Sequence, residues 1–272
     1  MNWQQAADTL LRTLVDQPRL GLITDVDGTI SPIVAQPDAA RVTPRCRELL
    51  AALVPHLTLT AAISGRAAQD VQARVGVDGM IYLGNHGMER WAGDHTVIDP
   101  EVATYRPALE AAVRDLEREA LPGMLIEDKH ATITAHYRRT DDPEEAARTF
   151  RPIAQRIAAA HGLHCYEGRM IFDLRPPVAL NKGTALRAMV HRCWLDGALY
   201  LGDDITDVDA MQAARELRET GACFALSVGV SAAETPPAVY ESADLLAEGV
   251  GDVELLLRWL LEARIAARPS ST

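Results

Sequence analysis

Cysteine is scarce in this chain: four residues among 272, Cys46, Cys165, Cys193 and Cys223, stand far apart and form no Cys-x-x-Cys pair. That spacing offers neither a thiolate zinc site nor a thioredoxin-type redox motif, and it suits a reducing cytoplasm. No stretch of about 18 apolar residues runs without a charge, the minimum for a membrane-spanning helix. The N-terminal residues Met-Asn-Trp-Gln-Gln-Ala-Ala-Asp carry no basic stretch followed by an apolar one, so neither a secretory leader nor a membrane anchor is expected. Positive charge is in deficit, with 27 Lys and Arg against 38 Asp and Glu and a net charge of −11. Such a surface repels polyanions and disfavours general nucleic-acid binding. A small phosphate ester is not excluded, because a local cation or metal reverses the field inside one pocket.

Hydrophobic residues make up 48% and charged residues 24%, which rules out disordered and fibrous classes and supplies a sizeable core. At about 150 residues per domain, this length implies one large domain or a core with a smaller companion. Apolar runs at 20–24, 57–63, 80–83, 198–201 and 223–228 read as strands. Helical patterns lie between and after them, at 45–53, 67–75, from 182, from 207, and at 252–267, followed by a polar Arg-Pro-Ser-Ser-Thr tail. This alternation predicts an α/β fold with a doubly wound parallel sheet.

Residues 106–176 read differently, as helix, two strands, helix, two strands. The strand pairs are 124–127 with 132–137, turning at 128–131, and 164–166 with 170–174, turning at 167–169. Arg106-Pro107 opens the segment and Arg175-Pro176-Pro177 closes it, stiff junctions of the kind found where two cores meet. The expectation is a smaller α+β domain inserted into a core of 1–105 and 177–272.

Four strand-end segments carry chemistry. Asp25-Val26-Asp27-Gly28-Thr29 follows the first apolar strand, at the end of a parallel sheet where ligands bind. Gly28 permits a sharp turn, although Asp-Gly-Thr is also an ordinary turn and helix cap. Gly202-Asp203-Asp204-Ile205-Thr206-Asp207 follows a later strand with three more carboxylates. If the two loops converge, their acids repel one another unless a cation sits among them, and an all-oxygen set with room for phosphate suits magnesium better than calcium. Capping by Asp204 or Thr206, with Asp207 at the helix's positive end, is compatible with that reading. Ile63-Ser64-Gly65-Arg66 offers a hydroxyl, a glycine-freed amide and a cation, the partners a phosphate takes, or else a common turn. In Asn181-Lys182-Gly183-Thr184 a lysine begins a helix, which is electrostatically poor unless carboxylates and a phosphoryl group lie opposite.

The order and spacing of Asp25, Ser64, Lys182 and Asp203 resemble the haloacid-dehalogenase-like (HAD) phosphohydrolase superfamily, with Asp-Val-Asp-Gly-Thr as the most specific motif. Within it, the chain resembles the trehalose-6-phosphate phosphatase family from Gly21 to Leu260. The resemblance is carried by Ile63 to Arg66, Gly84-Asn85-His86-Gly87-Met88-Glu89, Glu127-Asp128-Lys129, Ala135-His136-Tyr137-Arg138, Arg175-Pro176, Asn181-Lys182-Gly183 and Gly202 to Asp207. Ser227-Val228-Gly229 with Ala238-Val239-Tyr240 resembles the family's final strand and loop. One departure is Val208, where many members carry glutamate.

The resemblance implies that Asp25 is the nucleophile, forming an aspartyl phosphate, and that Asp27 is first the general acid and then the base. Magnesium would be held by Asp25, the Asp27 carbonyl and Asp203, with Asp204 or Asp207 in support. Ser64 and Lys182 would bind phosphoryl oxygens, joined by Gly65 and Arg66. His86 and Glu89 would face the substrate. The insert would act as a cap that excludes water and recognises the leaving group, with Glu127, Lys129 and Glu167 binding sugar hydroxyls and His136 and Arg138 sharing a strand face with Thr134. The implied protein is a cytoplasmic phosphatase acting on a small sugar phosphate, with a trehalose-6-phosphate synthase as pathway partner and no nucleic-acid or membrane partner. Its rivals are a phosphatase for another sugar phosphate or glycosyl phosphoglycerate, and a catalytically silent regulatory module. The last predicts missing catalytic groups, and Asp25, Asp27, Lys182 and Asp203 are all present.

Overall fold

The computed structural model describes residues 1–34, 39–168, 170–233 and 235–267. Its strands, in chain order, are Leu20–Thr24 (β1), Leu59–Ile63 (β2), Ile81–Gly84 (β3), Glu89–Trp91 (β4), Thr96–Ile98 (β5), Leu125–Asp128 (β6), Ile133–His136 (β7), His164–Gly168 (β8), Ile171–Arg175 (β9), Gly197–Gly202 (β10), Phe224–Ser231 (β11) and Leu245–Glu248 (β12). The chain divides after Thr96 and again after Ala179 into two compact units, the outer segments forming one and the inner segment the other.

The larger sheet has eight strands in the order β12-β11-β10-β1-β2-β3-β4-β5, and all but β5, which begins at Thr96, lie wholly in the outer unit. β12, β11, β10, β1, β2 and β3 pair in parallel, and β4 returns antiparallel to β3. β1, β2 and β10 are buried at every position, the result of near-continuous apolar runs covered on both faces. Alternate residues serve opposite faces. Leu22, Leu199 and Leu201 join the core under helices Pro44–Leu53 and Gly249–Ala267, whereas Ile23, Ala198 and Tyr200 join the core under Lys182–Arg192 and Val208–Glu219. Each fully buried Leu or Ile contributes about 1.5–3 kcal/mol to holding these layers together. Thr43 sets one helix start, its side chain accepting from the Cys46 amide at 3.0 Å ahead of Pro44.

The inner unit is a four-stranded antiparallel sheet, β6-β7-β9-β8, with helices Arg106–Glu119 and Pro143–Ala160 on one face. Leu109, Leu116 and Phe150 from the helices meet Ile133, Phe172 and Leu174 from the strands. Both units therefore match the α/β core with an α+β insert. The inner unit runs from Val97 to Ala179; Tyr105 packs on its core, and a short helix, Pro100–Ala103, precedes Arg106–Glu119.

The three-residue strands β4 and β5 are not foreseen, since so short a segment shows no period. The last strand of the sheet is β12, beyond the expected final strand at β11. The expected turn at 128–131 joins β6 to β7. The second turn includes Arg169, and the polar tail occupies 268–272; both lie outside the described residues. No described helix is long and apolar enough to cross a membrane.

Candidate active site

Parallel pairing brings distant segments to one edge of the sheet. Thr24 of β1 is in register with Leu201 of β10 and with Ala62 of β2, so the chain leaves all three strands at the same level. Neighbouring strands lie about 4.8 Å apart, close enough for their first loop residues to touch. Asp25 follows β1 with its amide donating to the Leu201 carbonyl at 2.8 Å, and Ser64 follows β2 with its amide donating to Leu83 at 3.1 Å.

Gly28 is required between these loops. Its φ of +86° is left-handed, and a Cβ there would stand 1.9 Å from an Asp203 carboxylate oxygen. Thr29 Oγ1 donates to Asp203 Oδ1 at 3.1 Å. Carboxylate oxygens of Asp25, Asp203 and Asp207, all buried, lie within 4.8 Å of one another.

Lys182 explains itself here. Asn181 caps its helix through a reciprocal bond pair with Thr184, and the buried ammonium donates to Asp25 Oδ1 at 2.8 Å and Asp207 Oδ1 at 2.6 Å. Asp207 also accepts from the Tyr200 hydroxyl at 2.5 Å and from the amides of Asp203 and Asp204 at 3.1 and 3.0 Å. Gly202 gives it room, since a Cβ at that position would come 2.3 Å from Asp207 Cγ.

Burial pushes the Asp25 carboxyl well above its ordinary range; Lys182 opposes the shift, while Asp207 and Asp203 add to it. Asp203 is pushed up to about 7, by burial first and then by Asp207. Burial works against the Lys182 charge too, but Asp207 and Asp25 outweigh it and hold the ammonium above its ordinary range. With all three carboxylates ionised against one ammonium, the buried site would carry two negative charges in excess, the deficit that one divalent cation offsets. The all-oxygen donor set is that of a hard ion.

The other expected site residues are placed as follows. Half-buried Asp27 is gripped by Arg66, whose Nε donates to Oδ2 at 2.5 Å and Nη2 to Oδ1 at 2.9 Å. Arg66, expected to bind substrate, thus has its fork on Asp27. His86 has a left-handed φ of +61° between Asn85 at +47° and Gly87 at +101°. Its amide donates to the Ser64 carbonyl at 2.9 Å, and its ring packs so closely on Gly65 that a Cβ there would come 2.8 Å from the imidazole.

Buried Glu89 accepts at Oε1 from the Ala68 amide at 2.6 Å and so caps helix Ala68–Val75, whose own cap residue is alanine. Asp204 is exposed and caps the turn Ile205–Asp207, so it stands outside the carboxylate cluster, whereas Asp207 is in it. Glu127, Lys129 and Glu167 belong to the inner unit. Glu127 meets His136 at 2.9 Å, Glu167 is paired with Arg151 at 2.6 Å, and Lys129 lies in the turn closed by its amide on the Thr132 carbonyl at 3.0 Å. Thr134, on the same strand face as His136, donates to Asp173 at 2.7 Å. Tyr200 and Asp70 have no counterpart among the expected site residues. A tyrosine inside an apolar strand carries no sign that its hydroxyl has a charged partner.

A trehalose-phosphatase family model matches residues 23–242. A trehalose-phosphate phosphatase of Mycobacterium leprae is 38% identical over 206 residues, covering 70% of this chain and 47% of the relative. One from Mycobacterium tuberculosis is 34% identical over 247 residues, covering 85% and 62% respectively. The chain thus spans about half the length of the curated relatives it matches. Among solved structures, the C-terminal domain of a Candida albicans trehalose-6-phosphate phosphatase aligns with a TM-score of 0.76 at 21% identity, over 94% of this chain and 97% of that one. A trehalose-6-phosphate phosphatase related protein aligns with a TM-score of 0.75 at 21% identity, over 91% and 100%. These two likenesses establish a shared fold.

Proposed function

Because the chain belongs to the trehalose-phosphatase family, we propose that it hydrolyses trehalose 6-phosphate to trehalose and phosphate, with magnesium bound, through an acyl phosphate on Asp25. The observation that carries this reading is Asp25 at the end of β1, one oxygen held by Lys182 and the carboxylates of Asp203 and Asp207 beside it.

Asp25, Asp203 and the Asp27 carbonyl are the groups that would hold magnesium, with Asp207 supporting them through Lys182 and the amides of Asp203 and Asp204. When bound, the ion neutralises charge on the carboxylates and phosphoryl oxygens. Lys182 favours the ionised Asp25 carboxylate against its burial. Asp25 attacks phosphorus as the bond to the sugar oxygen breaks, and Asp27 gives that oxygen its proton. Asp27 then takes a proton from the water that attacks the acyl phosphate, releasing phosphate and restoring Asp25. Ser64, the Gly65 amide and Lys182 donate to the phosphoryl oxygens as charge grows on them. His86 supplies a contact to the sugar hydroxyls, and the inner unit's Glu127, Lys129 and Glu167 are assigned to sugar recognition by the family resemblance. A synthase joining two glucose units with a phosphate retained stands upstream in the same reaction sequence.

Phosphate release is to be measured on trehalose 6-phosphate and glucose 6-phosphate, with magnesium and with chelator. The expected result is a kcat/KM at least about 100-fold higher for the disaccharide, equivalent to a few charge-assisted hydrogen bonds, and no turnover with chelator. Alanine at Glu127, Lys129 or Glu167 is expected to raise KM about tenfold each, the cost of one such bond. Preference for a monosaccharide phosphate or a glycosyl phosphoglycerate would replace the substrate, and an inactive protein would favour the regulatory module.

The metal reading has a stability readout as well. Asp203 has its carboxyl near 7 in the metal-free fold, above the ordinary carboxylate value, so its contribution is complete at acid pH and is lost as pH rises through about 7. The melting temperature in chelator is therefore expected to fall between pH 5 and pH 8, and magnesium is expected to raise it more at pH 8. A response to magnesium that is equal at both pH values would count against Asp203 as a ligand.

A further inference from the structure

Outside the carboxylate cluster, a second row of charges runs along helix Ala68–Val75 and ends on Asp27. Arg66 uses Nε and Nη2 on the two Asp27 oxygens, at 2.5 and 2.9 Å. Its remaining nitrogen, Nη1, donates to Asp70 Oδ2 at 3.1 Å. Asp70 is held in turn by Arg74, whose Nε lies 2.8 Å from both of its oxygens. Arg74 Nη1 finally donates to the Ala40 carbonyl at 2.6 Å, which ties the row to backbone.

The spacing makes this row. Residues 66, 70 and 74 are four apart, so Arg66 just ahead of the helix, Asp70 in its first turn and Arg74 in its last share one face. The arginines are sheltered, with side chains 18% and 11% exposed, against 40% for Asp70. Sheltered guanidinium groups with several fixed acceptors have one orientation, unlike surface ion pairs that come and go.

We propose that Arg66 is a positioning residue for Asp27 and that Asp70 and Arg74 brace it, so that this row aims the Asp27 carboxyl at the leaving oxygen. The proposal rests on the reading of Asp27 as the acid. A two-point fork fixes the plane of a carboxylate as well as its distance, which a single ammonium does not do. Asp27 needs such fixing, because its side chain springs from the bend that Gly28 completes and is one-third exposed. No member of the row contacts Lys182 or Asp203 in the hydrogen bonds above, so weakening it should misdirect the acid and leave the nucleophile in place.

The test is a comparison of leaving groups. A sugar oxygen departs only if protonated, whereas p-nitrophenolate departs without a proton. kcat/KM reports the step in which that bond breaks, so it is measured on trehalose 6-phosphate and p-nitrophenyl phosphate for the unaltered protein, Asp27→Asn, Arg66→Lys and Asp70→Ala. Asp27→Asn sets the scale, with a loss confined to the sugar phosphate. Arg66→Lys is expected to lose about 100-fold and Asp70→Ala about tenfold on the sugar phosphate, the range for a misplaced general acid. Both are expected to lose less than about twofold on p-nitrophenyl phosphate, where no acid is needed. Asp70 sits on the surface of its helix, so Asp70→Ala keeps the fold, and melting temperatures monitor both variants. Equal losses on the two substrates, or none on the sugar phosphate, overturn the positioning role while Asp27→Asn stays selective. An unselective Asp27→Asn removes the acid reading itself, and the proposal with it.

Discussion

Asp25→Asn is expected to lower phosphate release by on the order of 10⁴-fold or more, the scale of losses when a covalent nucleophile is removed. The amide keeps the shape of the carboxylate and an oxygen for Lys182, so the loss reports chemistry and not collapse. A second readout separates it from misfolding. Asp25 is a buried carboxylate whose ionised form is opposed by burial and by Asp207 and Asp203, so replacing it relieves charge in the metal-free fold. The variant should therefore melt no lower than the unaltered protein in chelator, and gain less from magnesium. Normal turnover by this variant would end the case for an Asp25 acyl phosphate.

Lys182→Met is expected to be the most destabilising single change at the site. Methionine fills similar space without charge and leaves two buried carboxylates, Asp25 and Asp207, facing each other without their shared ammonium. Breaking a buried pair from one side costs about 3–5 kcal/mol. For a chain of this size, that corresponds to a fall in melting temperature of roughly 10 °C. Activity should fall by about 10²–10³-fold as well, the cost of one lost phosphoryl donor in a preorganised site. Adding Asp207→Asn to Lys182→Met should return part of the stability and none of the activity, because it removes one of the two facing charges while the amide oxygen can accept from the Asp203 and Asp204 amides and its NH2 donate to the Tyr200 hydroxyl oxygen. Calorimetry on the two variants decides the matter, and an unchanged melting temperature for Lys182→Met would contradict the buried network.

The parts of this site that could be read from the sequence share a cause. β1 matches the expected strand at both ends because its residues are buried on both faces, and burial writes an apolar run. Asp25, Ser64 and Asp203 were legible as the polar residues that end such runs, and Lys182 because a cation opening a helix needs a reason. What could not be read depends on pairing across the fold. Whether Arg66 turns to a phosphate or to Asp27 is not encoded near it; the outcome depends on how β2 lies beside β1. Asp204 and Asp207 are both carboxylates in one loop, and only the turn Ile205–Asp207 faces one outward and the other toward Lys182. Glu89 is a surface-type residue by composition, yet it is buried because a distant helix start needs an acceptor.

The division of the chain has a consequence for how the protein comes into being. The inner unit is one uninterrupted stretch with its own apolar centre, while the outer one is written in two pieces. Synthesis runs from the N-terminus, and contiguous domains close as they emerge from the ribosome. The insert can thus be complete while β1 still waits for β10, and Asp25 stays without its cation until Lys182 has been made. The buried carboxylate cluster and its ammonium are in this sense assembled only after the insert has been made.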